Sequence, residues 1–317
     1  MTRVLFISDI HFKHNNVQET DILIKKLNEL TDYDFAVLAG DILDTHERVD
    51  VQLLNRAYNM VDVLRSKTNV FICVGNHDMI NNQQFLTTNH WMNGMKKWSN
   101  VTIVDTKPVF YEGFVFVPYV FPGRLHEVLD MLEDWKSAKC IFAHQEIRGC
   151  KMGPFVSKDG DVWDLDMPLM ISGHIHERQR PQSNVFYPGS VITHAYGRQQ
   201  TEDQGLSIFT FHEDDEPEEE RISLGLKTKK TIYVKVGDDM KLGENNHTRV
   251  VVSGTIDEIL AHKKIHQKSN MKIQYNIVTE QPKQKNDKLS FLEVLTNLVD
   301  KTNDSLLKHD LNSIITY

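Results

Sequence analysis

Five short apolar runs in this chain each end in residues that ligate metals or carry charge, and this constrains the fold more than any other feature. Val4 to Ser8 precedes Asp9-Ile10-His11, Phe35 to Ala39 precedes Gly40-Asp41, and Val70 to Val74 precedes Gly75-Asn76-His77-Asp78. Cys140 to Ala143 precedes His144, and Leu169 to Ser172 precedes Gly173-His174-Ile175-His176. Runs this short, bounded by turn residues, read as strands buried on both faces, as in parallel sheets. Ligands of an α/β sheet bind in the crevice at the carboxyl ends of its strands. Residues from Asp9 to His176 are therefore expected to meet in one cleft.

The residue types at those ends define the chemistry. Carboxylate, amide oxygen and imidazole suit Mn, Fe(II), Zn or Mg, and the absence of Cys there disfavours a thiolate zinc or iron-sulfur centre. Asp9 and His11 are two apart, so in an extended strand end both side chains leave on one face and can share an ion. His174 and His176 repeat that spacing. Asp41 stands alone after its strand and is expected to bridge two ions with its two oxygens, while Asn76 supplies a neutral oxygen. His14, His46, His90, His126 and His194 have no partner at ligand spacing and are expected to be solvated or structural. His14 and His46, near the motif loops, are the candidates for exceptions.

At 317 residues the chain invites more than one domain. Alternating strands and helices are expected to about residue 211. Helical stripes run through Leu23, Ile24, Leu27 and Leu30, and through Leu125, Val128, Leu129, Leu132 and Trp135. Val49 to Leu64 carries two apolar stripes, one for the sheet and a second (Val51, Leu54, Tyr58, Val61) open to a twin subunit. Glu213 to Glu220 is too charged to pack and reads as a solvated loop within a linker at 212–230. Strands at Thr231 to Val236, Arg249 to Ser253 and Lys272 to Val278, with a helix from Ile256 to His266, make a small α+β unit at 231–279. A polar linker with Pro282 leads to two amphipathic stripes, Phe291 to Val299 and Leu306 to Ile315, within 280–317. Two such helices gain too little burial alone and need a partner surface.

The net charge of -8 argues against nonspecific nucleic-acid binding by bulk charge. Cys73, Cys140 and Cys150 form no Cys-x-x-Cys pair, which favours a reducing compartment. The chain opens straight into a strand, and no apolar stretch approaches membrane-spanning length. A cytoplasmic protein with no membrane contact is expected.

The ordered motifs resemble those of the calcineurin-like metallophosphoesterases. That resemblance implies a two-layered β-sheet core flanked by helices over residues 1–211. It puts Asp9, His11, Asp41 and His176 on a first metal and Asp41, Asn76, His144 and His174 on a second. His77 is then the acid or charge stabiliser for the leaving oxygen, and Asp78 orients it. Such a pair of ions supplies a hydroxide nucleophile and neutralises the oxygens of an in-line displacement, and an imidazole can serve the leaving group.

With Tyr187-Pro188-Gly189-Ser190, the α+β cap and the terminal helical pair, the chain looks like an SbcD-type (Mre family) double-strand-break repair nuclease subunit in a compact phage-like form. Two departures stand out. Ala143 precedes His144 where many relatives have Gly, and Asp44-Thr45-His46 follows the bridging aspartate, with Asp44 expected behind the ligands. The resemblance implies exonuclease and endonuclease action on DNA with two divalent ions, Mn2+ foremost. It also implies docking of the C-terminal helices on an SbcC-like coiled-coil ATPase, and a homodimer is expected through Val49 to Leu64. A nucleotide phosphodiesterase, another phosphoesterase and a non-catalytic scaffold are the alternatives. Related protein phosphatases carry Asp-Arg-Gly where this chain has Asp44-Thr45-His46, which weakens the phosphatase reading.

Overall fold

A computed structural model describes residues 1–46, 48–194, 204–213, 216–238, 246–265, 272–278 and 299. The chain divides into two compact units, Met1–Ile232 with Lys241–Arg249, and Tyr233–Met240 with Val250–Tyr317.

The first unit is built on two six-stranded sheets. One joins β1 (Thr2–Ile7), β2 (Phe35–Ala39), β3 (Asn69–Cys73) and β4 (Val101–Val104) in parallel, then extends beyond β1 through antiparallel β13 (Leu206–Phe211) and β14 (Glu218–Ile222). The other has the order β11-β12-β10-β7-β6-β5. It comprises β5 (Val109–Tyr111), β6 (Phe114–Phe116), β7 (Cys140–His144), β10 (Met170–Gly173), β11 (Gln179–Gln182) and β12 (Val185–Tyr187), with β6, β7, β10 and β12 parallel. A short hairpin, β8 (Lys151–Met152) with β9 (Phe155–Val156), lies between β7 and β10 in the chain.

Alternation along each strand explains the layering. Val4 and Phe6 of β1, Phe35 and Val37 of β2, Phe114 and Phe116 of β6, and Phe142 of β7 form one buried cluster. Because it draws on both sheets, this cluster lies between them. Leu5 and Ile7 point the other way, into a core shared with α1 (Val17–Glu29) and α2 (Val51–Arg65). The outer face of the second sheet packs Val115, Ile141 and Ala143 against Leu125, Val128 and Leu129 of α3 (Leu125–Leu129) and against Trp135 and Trp163. Both faces of the central strands are thus buried, as the continuous apolar runs require. The architecture is the expected two-layered β core with flanking helices.

Three local readings need correction. The stripe from Leu125 to Trp135 is not one helix: α3 ends at Leu129, and Trp135 opens a separate 3-10 turn at Trp135–Ser137. Its apolar residues are nevertheless buried. Helices do not alternate with strands throughout, since several strands of the second sheet follow one another through loops and hairpins. The acidic block is not all solvated loop, because Glu218–Ile222 forms the edge strand β14. There Glu219 is neutralised by Arg178, at 2.6 and 2.9 Å, and accepts the Ser207 hydroxyl at 2.6 Å. An ion pair with Arg178, just before β11 of the other sheet, offsets the cost that the charge run alone suggested.

Helix α2 begins where Asp50 accepts hydrogen bonds from the Gln52 and Leu53 backbones at 2.9 and 3.2 Å, an acidic N-cap. Of its second stripe, Val61 is fully buried. Leu54 and Tyr58 pack partly against the core, Tyr58 against Trp91 and Trp98, and Val51 is exposed. Farther along, β15 (Thr228–Lys235), β16 (Asn246–Gly254) and β17 (Lys272–Ile277) form a three-stranded sheet, with α4 (Ile256–Ile265) before the last strand. These are the strands and helix expected of the α+β segment. The two C-terminal stripes lie outside the described residues, Val299 excepted.

Phe142 is fully buried, with ring centroids 5.7 to 6.0 Å from Phe116, Phe114 and Phe6. Phe142→Ala should lower unfolding stability by about 3 to 5 kcal/mol, read from the urea midpoint. A loss under about 1 kcal/mol would show that the inter-sheet cluster does not hold the sandwich together.

Candidate functional site

The carboxyl ends of β1, β2, β3, β7 and β10 converge, but through turns rather than extended backbone. Asp9 (φ 52°), His11 (φ 47°), Asp41 (φ 52°) and His174 (φ 79°) all lie in the left-handed region. The premise that an extended strand end puts Asp9 and His11, or His174 and His176, on one face is therefore corrected. Their side chains are aimed by sharp turns, a conformation that costs non-glycine residues about 1 to 3 kcal/mol each.

Glycines let the turns approach one another. A Cβ on Gly75 would collide with the Asp41 nitrogen and Oδ1, and one on Gly173 would collide with the Ala39 carbonyl. Backbone bonds complete the junction: Asp9 N–H donates to Gly40 O at 3.1 Å and His11 N–H to Asp41 O at 2.9 Å.

Two groups of donors result. In the first, His11 Nε2 is 3.1 Å from His176 Nε2 and 3.5 Å from Asp41 Oδ2, and His176 Nε2 is 3.5 Å from Asp9 Oδ1. In the second, Asn76 Oδ1 lies 3.0 Å from His144 Nε2 and 2.9 Å from His174 Nδ1, and His144 Nε2 is 3.3 Å from Asp41 Oδ2. The structure thus brings together all seven residues expected to ligate. It corrects one detail of Asp41. A single oxygen, Oδ2, faces both groups, because Oδ1 accepts the His77 backbone N–H at 2.8 Å.

The two other motif residues divide differently from expectation. His77 Nδ1 lies 2.9 Å from the Asp44 carbonyl, so it is Asp44 that orients the ring. Asp78 has no bond to the His77 imidazole among the described contacts. Its Oδ1 accepts from Ile42 N–H, Leu43 N–H and Trp91 Nε1 at 3.0 to 3.2 Å, and its Oδ2 from Gly75 N–H at 3.1 Å. The role given to Asp78 is corrected accordingly: it pins the Asp41 loop to the Gly75 turn. Asp44 sits behind the site as expected, with Oδ1 3.2 Å from His11 Nδ1 and 2.9 Å from Lys13 Nζ.

Charge is concentrated here. Burial works against ionisation of Asp41, yet His144, His11 and His77 hold its carboxyl well below the usual range. Burial likewise opposes the charged form of His144, but Asp41 pushes its pKa up to about 9. Burial and His144 bring His174 down to about 4, and burial also depresses His176. Burial, then the Asp41 charge, raises Asp78 to about 6.

This donor set fits divalent cations. His144 Nδ1 lies 2.6 Å from the Ala39 carbonyl and must donate to it. Nε2 is then left facing two acceptors, Asp41 Oδ2 and Asn76 Oδ1, a contact that needs a proton or a cation. Three sets, His11/His176/His194, His11/Asp41/His77 and Asp41/His144/His174, each place one donor atom per residue within 4.8 Å of one another.

Two of the histidines set aside by spacing are at the site. His194 packs at 4.8 Å from His11 and 4.9 Å from His176, ring centre to ring centre. His46 stacks on His77 at 4.7 Å. The others are structural: His90 pairs with Asp105 at 2.9 Å, His14 with Asp50 at 3.2 Å, and His126 stacks on Trp163. No spacing rule could find His194, which lies outside every motif. Its nearest signal is its position four residues after Ser190 of the Tyr187-Pro188-Gly189-Ser190 segment.

A profile of the calcineurin-like phosphoesterase family matches residues 2–178. The chain is 45% identical over 276 residues to "Putative phosphoesterase 244L" of Invertebrate iridescent virus 6, covering 83% of this chain and 97% of that protein. It is 40% identical over 330 residues to "Putative phosphoesterase 078R" of Invertebrate iridescent virus 3, covering 96% and 94%. Among solved structures, purple acid phosphatase PPD1 from yellow lupin (Lupinus luteus) seeds aligns with a TM-score of 0.42 at 14% identity, over 66% of this chain and 49% of that one. No helix among the described residues is long and apolar enough to cross a membrane.

Two outcomes are expected. Gly75→Ala should displace Asp41 and lower the number of divalent ions retained after gel filtration, by elemental analysis, while circular dichroism stays near wild type. Unchanged metal content would show that the turn tolerates the extra carbon. Because Asp41 raises the pKa of His144 to about 9, Nε2 of that ring carries a second proton near pH 7, and this proton must leave when a cation binds. Metal affinity should therefore rise as pH increases from 7 toward 9, and calorimetry in buffers of different ionisation enthalpy should detect proton release. Binding with no proton release would contradict this.

Proposed function

The chain belongs to the calcineurin-like phosphoesterase family, and on that premise we propose that it is a metal-dependent DNA nuclease of the SbcD type. Its residues Asp9, His11, Asp41 and His176 would hold one divalent ion and Asp41, Asn76, His144 and His174 another, with Mn2+ the favoured metal. The observation that carries this reading is Asp41 Oδ2, 3.5 Å from His11 Nε2 in one group and 3.3 Å from His144 Nε2 in the other. One buried oxygen between two donor sets would let two cations share that carboxylate. Such ions, when bound, supply a nucleophilic water at neutral pH and offset the charge of an in-line displacement at phosphorus.

The protein's own groups do the rest. The Ala39 carbonyl fixes the His144 tautomer, so its Nε2 is the ligating atom. His174 N–H donates to both Asp9 oxygens at 3.1 Å, which orients that carboxylate from the opposite sheet. The Asp44 carbonyl accepts a hydrogen bond from His77 Nδ1–H, so Nε2 is the nitrogen that, once protonated, would pass a proton to the leaving oxygen. His46, stacked on that ring, limits its rotation. Asp9, Asp41 and His144 are buried, whereas the His176 side chain is 38% exposed and His77 half-buried, so substrate approaches from the His77 and His176 side.

A polymeric substrate is favoured by the resemblance that runs through Tyr187-Pro188-Gly189-Ser190 and by the α+β segment after it. The same resemblance supports a coiled-coil ATPase of the SbcC type as partner of residues 280–317. A nucleotide phosphodiesterase is the second reading, because a pair of ions held by this donor set would engage only the phosphate of a substrate.

End-labelled DNA should be cut in Mn2+ and not in chelator, with turnover exceeding that on a cyclic nucleotide or a phosphopeptide. A preference for the cyclic nucleotide would replace the nuclease reading. His77→Leu should lower kcat by about 10²- to 10⁴-fold with metal content unchanged, and loss of an ion instead would make His77 a ligand. Deleting the residues after Pro282 should spare Mn2+-dependent cleavage of single strands and abolish binding to the ATPase. Unchanged affinity in a calorimetric titration would sink the partner assignment.

A further inference from the structure

Within the proposed two-metal reading, on which this step rests, His194 has no assigned role, and its surroundings give it one. Its Nε2 lies 2.6 Å from the backbone oxygen of Asp9, an atom that can only accept, so Nε2 carries the proton. The other ring nitrogen, Nδ1, is buried with no hydrogen-bond partner. A buried nitrogen lone pair left unpaired is costly. The ring meets His11 edge-on at 4.8 Å and His176 at 4.9 Å, and one nitrogen from each of the three histidines lies within 4.8 Å of the others. Donors on one ion, with bonds of about 2.1 Å, stand roughly 3 to 4 Å apart, so a small closure suffices.

We infer that His194 is an additional donor, through Nδ1, to the ion held by Asp9, His11, Asp41 and His176. The same ring ties that ion to the backbone of Asp9 through Nε2. The first position would then carry three imidazoles, against two for the position at Asn76, and a nitrogen-richer set favours the later, more nitrogen-preferring divalent metals. The two ions of one chain would differ in affinity and in preferred metal.

Two near-isosteric substitutions separate ligation from positioning. In His194→Asn the amide oxygen falls near the place of Nδ1, and the bond to Asp9 is lost. In His194→Gln the amide nitrogen falls near the place of Nε2, so the bond to Asp9 is kept and the Nδ1 donor is lost. The full-length chain, stripped by chelator, is titrated with Co2+, following heat and the visible ligand-field bands, with thermal melting of the metal-free proteins as the folding control.

The inference requires His194→Gln to weaken one of two ions at least tenfold and alter its bands, with His194→Asn nearer wild type. It is overturned if His194→Gln matches wild type, if His194→Asn is the more damaged, or if both lose affinity equally. A wild-type chain that binds fewer than two ions defeats the two-metal reading itself, a result distinct from any of these.

Discussion

The Asp41 carboxylate fixes the geometry on which the rest of the site depends. It is buried just beyond the end of β2, and its two oxygens are used unequally. Oδ1 is held by the backbone of His77, and Oδ2 is directed toward His11 on one side and His144 on the other. An isolated buried carboxylate carries a penalty of several kcal/mol. Here imidazoles and the His77 backbone amide offset it, and a cation would offset it further. The glycines at 40, 75 and 173 and the left-handed turns at Asp9, His11, Asp41 and His174 follow from the need to bring five strand ends around that one group.

The layers explain why this strain persists. Phe6, Phe35, Phe114, Phe116 and Phe142 lock the two sheets face to face, and α1 and α2 cover the outer face of the first. Bonds across the sheet junction, such as His144 to the Ala39 carbonyl and His174 N–H to Asp9, couple side-chain placement to that packing. Asp78, buried among Ile42, Leu43, Gly75 and Trp91, ties the loops together in the same way.

Much of this was legible in the sequence, for reasons that differ by residue. The strands before Asp9, Asp41, Asn76, His144 and His174 were legible because burial on both faces leaves an uninterrupted apolar run. The assembly of the seven metal-type donors was legible because each directly follows such a run. Other features were hidden because they depend on contacts distant in the chain. Glu219 lies in a strand, neutralised by Arg178 and bonded to Ser207, and Asp78 is held by the backbone of residues 42, 43 and 75 and by Trp91. The direction of Asp9 and His11 comes from turns that a two-residue spacing cannot predict. His194 belongs to no motif, and only the fold carries it beside His11 and His176.

In the proposed two-metal site, Asp41 Oδ2 would be shared by two cations. Crystals grown with Mn2+ and measured at the manganese absorption edge test it directly, because anomalous scattering locates the metal independently of any assignment of ligands. The account predicts two anomalous peaks about 3.5 to 4 Å apart, one on each side of Asp41 Oδ2, the first among Asp9, His11 and His176 and the second among Asn76, His144 and His174. A single peak, or two peaks of which one lies away from Asp41, would contradict it.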